Sequence, residues 1–477
     1  MASGRPLRLL PVPGDGRAAR EERVIGLASA SGDGRASEIA DSELLEAAKA
    51  VLDANWVGRS TVPSRHLYPH QWSWDSAFIA IGRSWYDQER AQTELESPFA
   101  GQWSDGRVPH IVFNPDVPAD AYFPGPTFWR SSDVAESPVG LETSGLVQPP
   151  LHAWAVLEVH DRAADASAAR AFLERMYPKL VAWHRYLLEH RDPEGIGLAA
   201  IVHPWESGLD NSPAWEDALR HIDIPPGLLP AYERRDLVNA DPADRPTDAA
   251  YDRFVYLAHA YRGGRYDDSR ICRMSPFVIV GPLVNALLIR SSLALADMAE
   301  LLGEDPEPHR GAASAIRRGM QEHLWDPQHA RYYSRNLKRG QLMREASILS
   351  FMPLLDPALP AEGLQAVVRD LSAPCFHAPE ADEHYLVPSY DLGGELFDPR
   401  RYWRGPVWIN TDWLIWRGLI DHGQRELAGH VADSMLELVR RAGFREYFDP
   451  FTGAGYGSDD FAWTAALVID VIERRRA

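Results

Sequence analysis

Apolar residues recur along most of the chain at the spacing of amphipathic helices. The first clear segment places Leu44, Leu45, Ala48, Val51 and Leu52 at positions i, i+1, i+4, i+7 and i+8. Asp41 and Ser42 precede it and are candidate N-cap residues. The same periodicity recurs in roughly ten to twelve segments, which predicts a largely helical protein.

Glycine and proline predict where several of these helices begin and end. A long apolar helix is expected over residues 283–302, closed by Gly303. Pro178 is expected to open another helix, because proline suits the first helical turn. The last helix is expected to run from about Phe461 to Arg475.

Strand signals are short and local, and the clearest is Arg331–Arg335. Because long strands do not alternate with helices, a parallel sheet is disfavoured and an all-α fold is expected. Residues 1–37 are polar and rich in Gly and Arg, which predicts a flexible N-terminal tail. No second boundary follows, so we expect one domain over residues 38–477, in which the long loop at 236–252 is the candidate for a lid.

Charge and composition exclude several classes of function. With 49 Lys+Arg against 68 Asp+Glu, the net charge is −19, which disfavours nucleic acids and anionic membranes as partners. The two cysteines, Cys272 and Cys375, have no zinc-ligand or disulfide-framework spacing. The polar N-terminus lacks the apolar core of a signal peptide, so a cytoplasmic protein is expected. A homo-oligomer is compatible with this sequence.

The aromatic residues, which include 16 Trp, cluster between the helices rather than along them. The clusters occupy residues 68–75, 122–129, 203–210, 402–408 and 446–451, and they are interleaved with Gly, Pro and carboxylates. Core aromatics would instead recur at helical spacing. This arrangement favours an aromatic cleft, of the kind that binds sugars, over a surplus of core tryptophan.

Carboxylates embedded in these clusters are the candidate catalytic groups: Asp75, Glu206, Asp210 and Glu446. Hydrolysis of a glycosidic bond needs two carboxyl groups, one protonated and one ionised. Apolar surroundings raise a carboxyl pKa and so maintain the acid form. No HExxH, GxSxG or phosphate-binding loop is present, so metalloprotease, serine hydrolase and nucleotide chemistry are disfavoured.

Each carboxylate also has a purely structural interpretation. Asp75 could cap a helix, Glu206 and Asp210 could shape their loop, and Glu446 could pair with Arg445 or another arginine. Taken singly, each residue favours the structural role; taken together, the repeated aromatic setting favours a site.

Four of these segments together resemble glycoside hydrolase family 63. They are Tyr68–Asp75 (YPHQWSWD), Trp205–Pro213 (WESGLDNSP), Tyr402–Trp408 (YWRGPVW) and Glu446–Gly453 (EYFDPFTG). Within the family, the chain is similar to the compact bacterial mannosylglycerate and glucosylglycerate hydrolases, over about residues 40–475. The resemblance implies an (α/α)6 barrel with its active-site cleft formed by long loops. It also implies inversion at the anomeric carbon without a metal or cofactor.

The same resemblance assigns roles to individual residues. It implies that Asp210 is the general acid and Glu446 the general base. The inner sugar site would be formed by Tyr68, Trp72, Trp74 and Asp75, with further sugar contacts from Gln148, Tyr402, Trp403 and Trp408. Arg245 and Tyr251 would reach the glycerate side.

The expected activity is that of an inverting α-glycosidase, with glucosylglycerate ahead of mannosylglycerate as substrate. Residues 407–413 look closer to α-glucosidases of the wider family, which leaves a neutral disaccharide or oligosaccharide as the alternative substrate. A non-catalytic sugar binder would not need both Asp210 and Glu446. A phosphorylase would need a phosphate site in place of the base. Arg245 could bind the glycerate carboxylate, or only tie its loop to Asp241 or Asp244.

Overall fold

The computed structural model describes residues 39–238, 240–377 and 385–477. The predicted tail, residues 1–37, and part of the long loop after residue 371 lie outside the described residues. Residues 39–477 form one compact unit.

Helices dominate the described residues, as the periodicity predicts. The α-helices are α1 (Asp41–Asn55), α2 (Ser73–Arg83), α3 (Gln88–Ala100), α4 (Pro126–Trp129), α5 (His152–Asp161), α6 (Ala166–His190), α7 (Glu216–Arg220), α8 (Asp248–Gly263), α9 (Asp268–Met274), α10 (Pro282–Leu302), α11 (Glu307–His323), α12 (Ala361–Leu371), α13 (Ile409–Asp421), α14 (Arg425–Ala442) and α15 (Ala462–Arg476). Short 3-10 helices span Ser131–Asp133, Pro204–Ser207, Pro213–Trp215, Pro242–Asp244 and Ile348–Leu355. Twelve of these α-helices have ten residues or more, which agrees with the expected number.

The strands are short and pair in antiparallel fashion wherever the structure describes them. They are β1 (Gln71–Trp72), β2 (Ile111–Val112), β3 (Ala200–Ile201), β4 (Ile279–Val280), β5 (Trp325–Asp326), β6 (Arg331–Tyr332), β7 (Ser334–Asn336), β8 (Gln341–Met343), β9 (Tyr447–Phe448) and β10 (Gly455–Tyr456). β1 pairs with β2, β5 with β6 and β9 with β10, while β3, β4, β7 and β8 form one small sheet. The strand signal at residues 331–335 is confirmed as β6 and β7, which flank Tyr333.

Six segments pack side by side in a closed ring. In order they are α2, α5, α10, the 3-10 helix Ile348–Leu355, α13 and α15, and α15 packs in turn against α2. The helices α1, α3, α6, α11, α12 and α14 precede these segments along the chain and pack on the outside of the ring. The inner segments are almost entirely buried, because each is covered by its two ring neighbours and by outer helices.

The inner helices also determine where loop residues gather. Trp72, Trp408 and Phe461 stand immediately before α2, α13 and α15. Because these residues precede helix N-termini on neighbouring ring members, the aromatic clusters of the sequence meet at one end of the ring.

Two predicted helix starts are wrong. The first helix is capped by Ala40 without a side-chain bond, while Asp41 lies in the first turn and accepts a hydrogen bond from Arg440. Pro178 lies inside α6 rather than at its start. That helix begins earlier because the Asp165 side chain accepts bonds from the backbone N–H groups of Ser167 and Ala168.

The boundary predicted at Gly303 is confirmed. Gly303 follows α10 with a φ of 83°, a left-handed conformation that favours glycine. By length and composition α10 could cross a membrane, but 83% of its apolar window is buried within the fold. Its hydrophobicity is accounted for by its place in the inner ring.

Candidate active site

A pocket opens where the aromatic clusters meet, and it collects all the site residues implied by the family resemblance except Trp408. The candidate carboxylate Glu206 does not line the pocket either. The pocket is lined by Tyr68, Trp72, Trp74, Asp75, Gln148, Asp210, Arg245, Tyr251, Tyr402, Trp403 and Glu446. Further lining residues include His110, Tyr122, Trp205, Gly208, Asp236, Phe254, Phe461 and Trp463. Residues far apart in sequence thus form one aromatic cleft that contains four carboxyl groups.

Asp210 lies just after the turn that follows the 3-10 helix Pro204–Ser207. Gly208 makes this turn with a φ of 73°, and a Cβ there would lie 2.4 Å from the ring of Trp74. Only glycine therefore allows the loop to approach the tryptophan so closely. Burial raises the pKa of Asp210 to about 7, while Arg245 lowers this pKa and Glu446 raises it. The carboxyl is therefore still substantially protonated near neutrality, which is what a general acid requires.

Glu446 lies immediately before β9 and accepts hydrogen bonds at both carboxylate oxygens. Oε1 accepts from the Tyr68 hydroxyl at 2.8 Å, and Oε2 accepts from Arg245 Nη2 and from the Ser458 backbone N–H, each at 3.0 Å. Such donors stabilise a carboxylate and leave little freedom in its orientation. A Cβ at Gly457 would lie 2.3 Å from Oε2, so glycine is required beside this group.

Arg245 is the partner of Glu446, a contact that neither of the two roles considered for it included. Asp241 and Asp244 form ion pairs with Arg400 instead, so Arg245 does not tie the loop to them. The guanidinium is 2% exposed, lies 3.0 Å from Glu446, and donates to the Tyr68 hydroxyl at 2.8 Å. It is therefore not a free cation awaiting a carboxylate. The structural interpretation paired Glu446 with Arg445 or another arginine; the arginine observed is Arg245, and the pair is buried.

One wall of the pocket is built by β1 and the start of α2. Tyr68 meets Trp72 edge to face with ring centroids 5.2 Å apart. Gln148 Oε1 accepts a hydrogen bond from the Trp74 backbone N–H at 3.2 Å, which connects the loop before α5 to this wall. Asp75 lies in the first turn of α2, and burial raises its pKa well above the ordinary value. Asp75 does not cap the helix, because the capping position is Trp72.

The opposite wall carries Tyr402 and Trp403. Trp403 stacks on Trp408 with ring centroids 3.8 Å apart and planes 5° from parallel. Trp408 is 1% exposed and donates from Nε1 to the Tyr402 carbonyl. Trp408 is thus the one expected sugar contact that does not line the pocket, because Trp403 covers it.

The sequence interpretation gave no site role to the eight further lining residues named above, and Asp236, Tyr122 and His110 show why. Asp236 faces the pocket while its carboxylate is held by Arg234, whose guanidinium lies 4.4 Å from the Tyr251 ring centroid. Tyr122 lies 5.1 Å from Trp72 and belongs to an aromatic cluster already visible in the sequence. His110, whose pKa burial lowers well below the ordinary value, has no distinctive sequence context.

No cluster of three or more His, Cys, Asp or Glu side chains suited to a metal ion occurs among residues 39–238, 240–377 and 385–477. The polar lining of the pocket consists of its four carboxyls, Arg245, the tyrosine hydroxyls, His110 and Gln148.

Comparisons with known proteins agree with this geometry. The mannosylglycerate hydrolase MGH1-like glycoside hydrolase domain matches residues 68–464. The mannosylglycerate hydrolase of Rubrobacter radiotolerans is 43% identical over 90% of this chain and 97% of its own. The glucosylglycerate hydrolase of Mycolicibacterium hassiacum is 37% identical over the same shares of the two chains. The crystal structure of the family 63 mannosylglycerate hydrolase of Thermus thermophilus, with Tris and D-glycerate, has a TM-score of 0.83 at 40% identity, covering 90% of this chain and 99% of that one.

Proposed function

This chain belongs to glycoside hydrolase family 63, in its mannosylglycerate hydrolase MGH1-like group, and on that premise we propose that it hydrolyses an α-glycoside of glycerate. The products would be the free hexose and glycerate. The single observation that carries the proposal is the pairing of two differently held carboxyl groups in one aromatic pocket. Asp210 retains a proton because it is buried, and Glu446 is surrounded by hydrogen-bond donors.

In the proposed reaction Asp210 donates its proton to the glycosidic oxygen as the bond to the anomeric carbon breaks. Glu446 accepts a proton from a water molecule, whose oxygen attacks that carbon from the opposite face. Direct attack by water inverts the configuration, so an α-glycoside releases the β-hexose. The aromatic walls would pack on the apolar faces of the sugar ring, and Asp75 and Gln148 would bind its hydroxyls.

The fold proposed for this activity is an (α/α)6 barrel comprising residues 38–477. Its support is the closed ring of six inner segments, each with an outer helix preceding it in sequence. In such a barrel the loops before the inner helices form the cleft, which is where Asp210 and Glu446 are found.

Glycerate is proposed as the aglycone because similar proteins are named for glycerate glycosides. The Thermus thermophilus enzyme has been crystallised both with D-glycerate and with glucose. Mannosylglycerate and glucosylglycerate are accordingly the two candidate substrates. Arg245 and Tyr251, beside Asp236, would face the glycerate, and Arg245 would have to share its guanidinium between Glu446 and the incoming carboxylate.

One observation favours the alternative of a neutral substrate. Asp75, Asp210, Asp236 and Glu446 all line the pocket, and Arg245, which is paired with Glu446, is the one Lys or Arg among the described lining residues. An anionic aglycone would therefore enter an acidic site. A neutral α-glucoside would not meet this electrostatic cost.

A substrate panel separates these functions. The protein is incubated with mannosylglycerate, glucosylglycerate, glucosylglycerol and maltose, with and without phosphate, and free sugar is measured. Release of hexose and glycerate from either glycerate glycoside, independent of phosphate, is expected. Preference for glucosylglycerol or maltose would assign an α-glucosidase instead, and formation of a sugar phosphate would assign a phosphorylase.

A further inference from the structure

The loop that carries Asp210 is tied at both ends to the loops that carry predicted sugar contacts. Resting on the proposed function, we propose that Glu206 and Asn211 are positioning residues that align Asp210 with the glycosidic oxygen. Neither residue lines the pocket. Each acts through the backbone of a neighbouring loop, so neither is a catalytic residue.

The first tie is made by Glu206, which is fully buried. Its two carboxylate oxygens each accept a hydrogen bond of 2.7 Å from one of the two terminal nitrogens of Arg191, and the Arg191 side chain is itself 0% exposed. Glu206 Oε2 also accepts from the Val202 backbone N–H at 2.8 Å, and Oε1 from the Val147 N–H at 3.3 Å. Val147 is the residue before Gln148, so one carboxylate joins the acid loop to the loop of a predicted sugar contact.

The second tie is made by Asn211, which directly follows Asp210. Its Oδ1 accepts a hydrogen bond from the Trp403 backbone N–H at 2.9 Å, although the two residues are 192 positions apart in sequence. Its Nδ2 is buried and has no hydrogen-bond partner among the described residues. A buried donor without a partner is unfavourable, so packing and the Trp403 bond must hold the side chain in place.

Between these ties the loop has little freedom to move. Trp215 Nε1 donates to the Leu209 carbonyl at 2.8 Å, and Ser207 Oγ accepts from the Leu209 N–H at 2.9 Å. Gly208 is packed against Trp74. The carboxyl of Asp210 is therefore placed by the same loops that would hold the sugar, and loss of either tie should shift it relative to the bond it must protonate.

A misaligned general acid slows the reaction only for leaving groups that need a proton, whereas general damage to the structure slows it for every substrate. A glycerate leaving group needs a proton, whereas fluoride leaves without one. We therefore compare Glu206→Gln and Asn211→Ala on the α-glycosylglycerate and on the α-glycosyl fluoride of the same hexose. Asn336→Ala is the matched control, because Asn336 is also a buried asparagine whose Oδ1 accepts from backbone N–H groups, but it lies at the end of β7 and binds the turn that leads to β8.

Both positioning variants should lose about ten- to a hundredfold in kcat on the glycosylglycerate, the scale of a misplaced catalytic group, with KM nearly unchanged. Activity on the fluoride should be nearly retained, and Asn336→Ala should leave the ratio of the two activities as in the wild type. Equal losses on both substrates, or no loss on either, in variants with native circular dichroism would overturn the proposal.

If Glu206→Gln does not fold because Arg191 is left without its charged partner, Asn211→Ala decides the question alone. Failure of the proposed function is distinguishable, because the wild type would then release no glycerate, or Asp210→Asn would affect both substrates alike. The positioning role alone fails if the wild type is active and Asp210→Asn loses activity on the glycosylglycerate but keeps it on the fluoride, while Asn211→Ala loses activity equally on both substrates or on neither.

Discussion

Replacement of Asp210 by Asn should stabilise the protein at neutral and alkaline pH while it removes activity. The side chain keeps nearly the same shape, but the group that must remain protonated inside the pocket is lost. Burial raises the pKa of Asp210 from 3.8 to about 7 in the folded protein. In the unfolded chain it returns to its ordinary value.

The direction in which stability changes with pH depends on whether the folded or the unfolded protein holds the proton on Asp210. Below pH 3.8 both states are protonated and the raised pKa has no cost. Between pH 3.8 and about 7 the unfolded chain loses the proton while the folded protein keeps it, so stability falls as the pH rises. Above about 7 both states are ionised and the cost stays constant. The rise of the Asp210 pKa from 3.8 to about 7 corresponds to about 4 kcal/mol at most. The realised value should be smaller because the carboxyl is partly exposed to the pocket.

The assay measures the melting temperature of wild type and Asp210→Asn between pH 4.5 and 8.5. The difference in favour of the variant should grow as the pH rises to about 7 and then level off. Asp433→Asn, which changes an exposed carboxylate on α14, should show no such trend. A difference that does not change between the two ends of the pH range would refute the raised pKa and, with it, the physical basis for assigning Asp210 as the acid.

Other consequences can be tested with single changes. Wild-type kcat/KM on a glycosylglycerate should fall as the pH rises through about 7, since Asp210 must be protonated to act; a flat profile up to pH 9 would contradict this. Arg245→Ala should reduce kcat/KM on both glycosylglycerate and glycosylglycerol, because Arg245 contacts Glu446 itself; a loss confined to the glycerate substrate would show that the ion pair with Glu446 is dispensable. Gly457→Ala should reduce kcat by at least about tenfold, because the added Cβ would displace the Glu446 carboxylate. The control Gly443→Ala should keep kcat, because a Cβ there meets nothing within 4 Å. Equal losses of kcat in the two variants would attribute the effect to backbone strain at positive φ. Tyr68→Phe should lower kcat by about five- to tenfold through loss of one hydrogen bond to Glu446, and an unchanged kcat would remove Tyr68 from the support of the base.

The helical fold and the composition of the pocket could be predicted from local sequence signals. Helical periodicity is a property of each segment, and it identified α10 and its end at Gly303 because the residue after the helix adopts a left-handed conformation. The aromatic and carboxylate clusters lie in connections that lead from an outer helix to an inner segment, and the ring brings these connections together. Their convergence was expected from their shared composition before any contact was known.

The remaining features depend on contacts between distant segments, which local patterns do not encode. Pro178 resembles a helix start, but the cap at Asp165 determines where α6 begins. Trp408 resembles a sugar contact, but Trp403 stacks over it. The pairing of Arg245 with Glu446 joins residues 201 positions apart in sequence, and nearby Asp241 and Asp244 were the more obvious partners.

The central claim is that Asp210 and Glu446 act together as acid and base on an α-glycoside of glycerate. Proton NMR of a fresh reaction on mannosylglycerate or glucosylglycerate tests it most directly, because the anomeric signal reports both the activity and the position of the base. We predict that the β-hexose and glycerate appear first, before the anomers equilibrate. Initial release of the α-hexose would contradict Glu446 as an activator of water, and no hydrolysis of either substrate would contradict the proposed function itself.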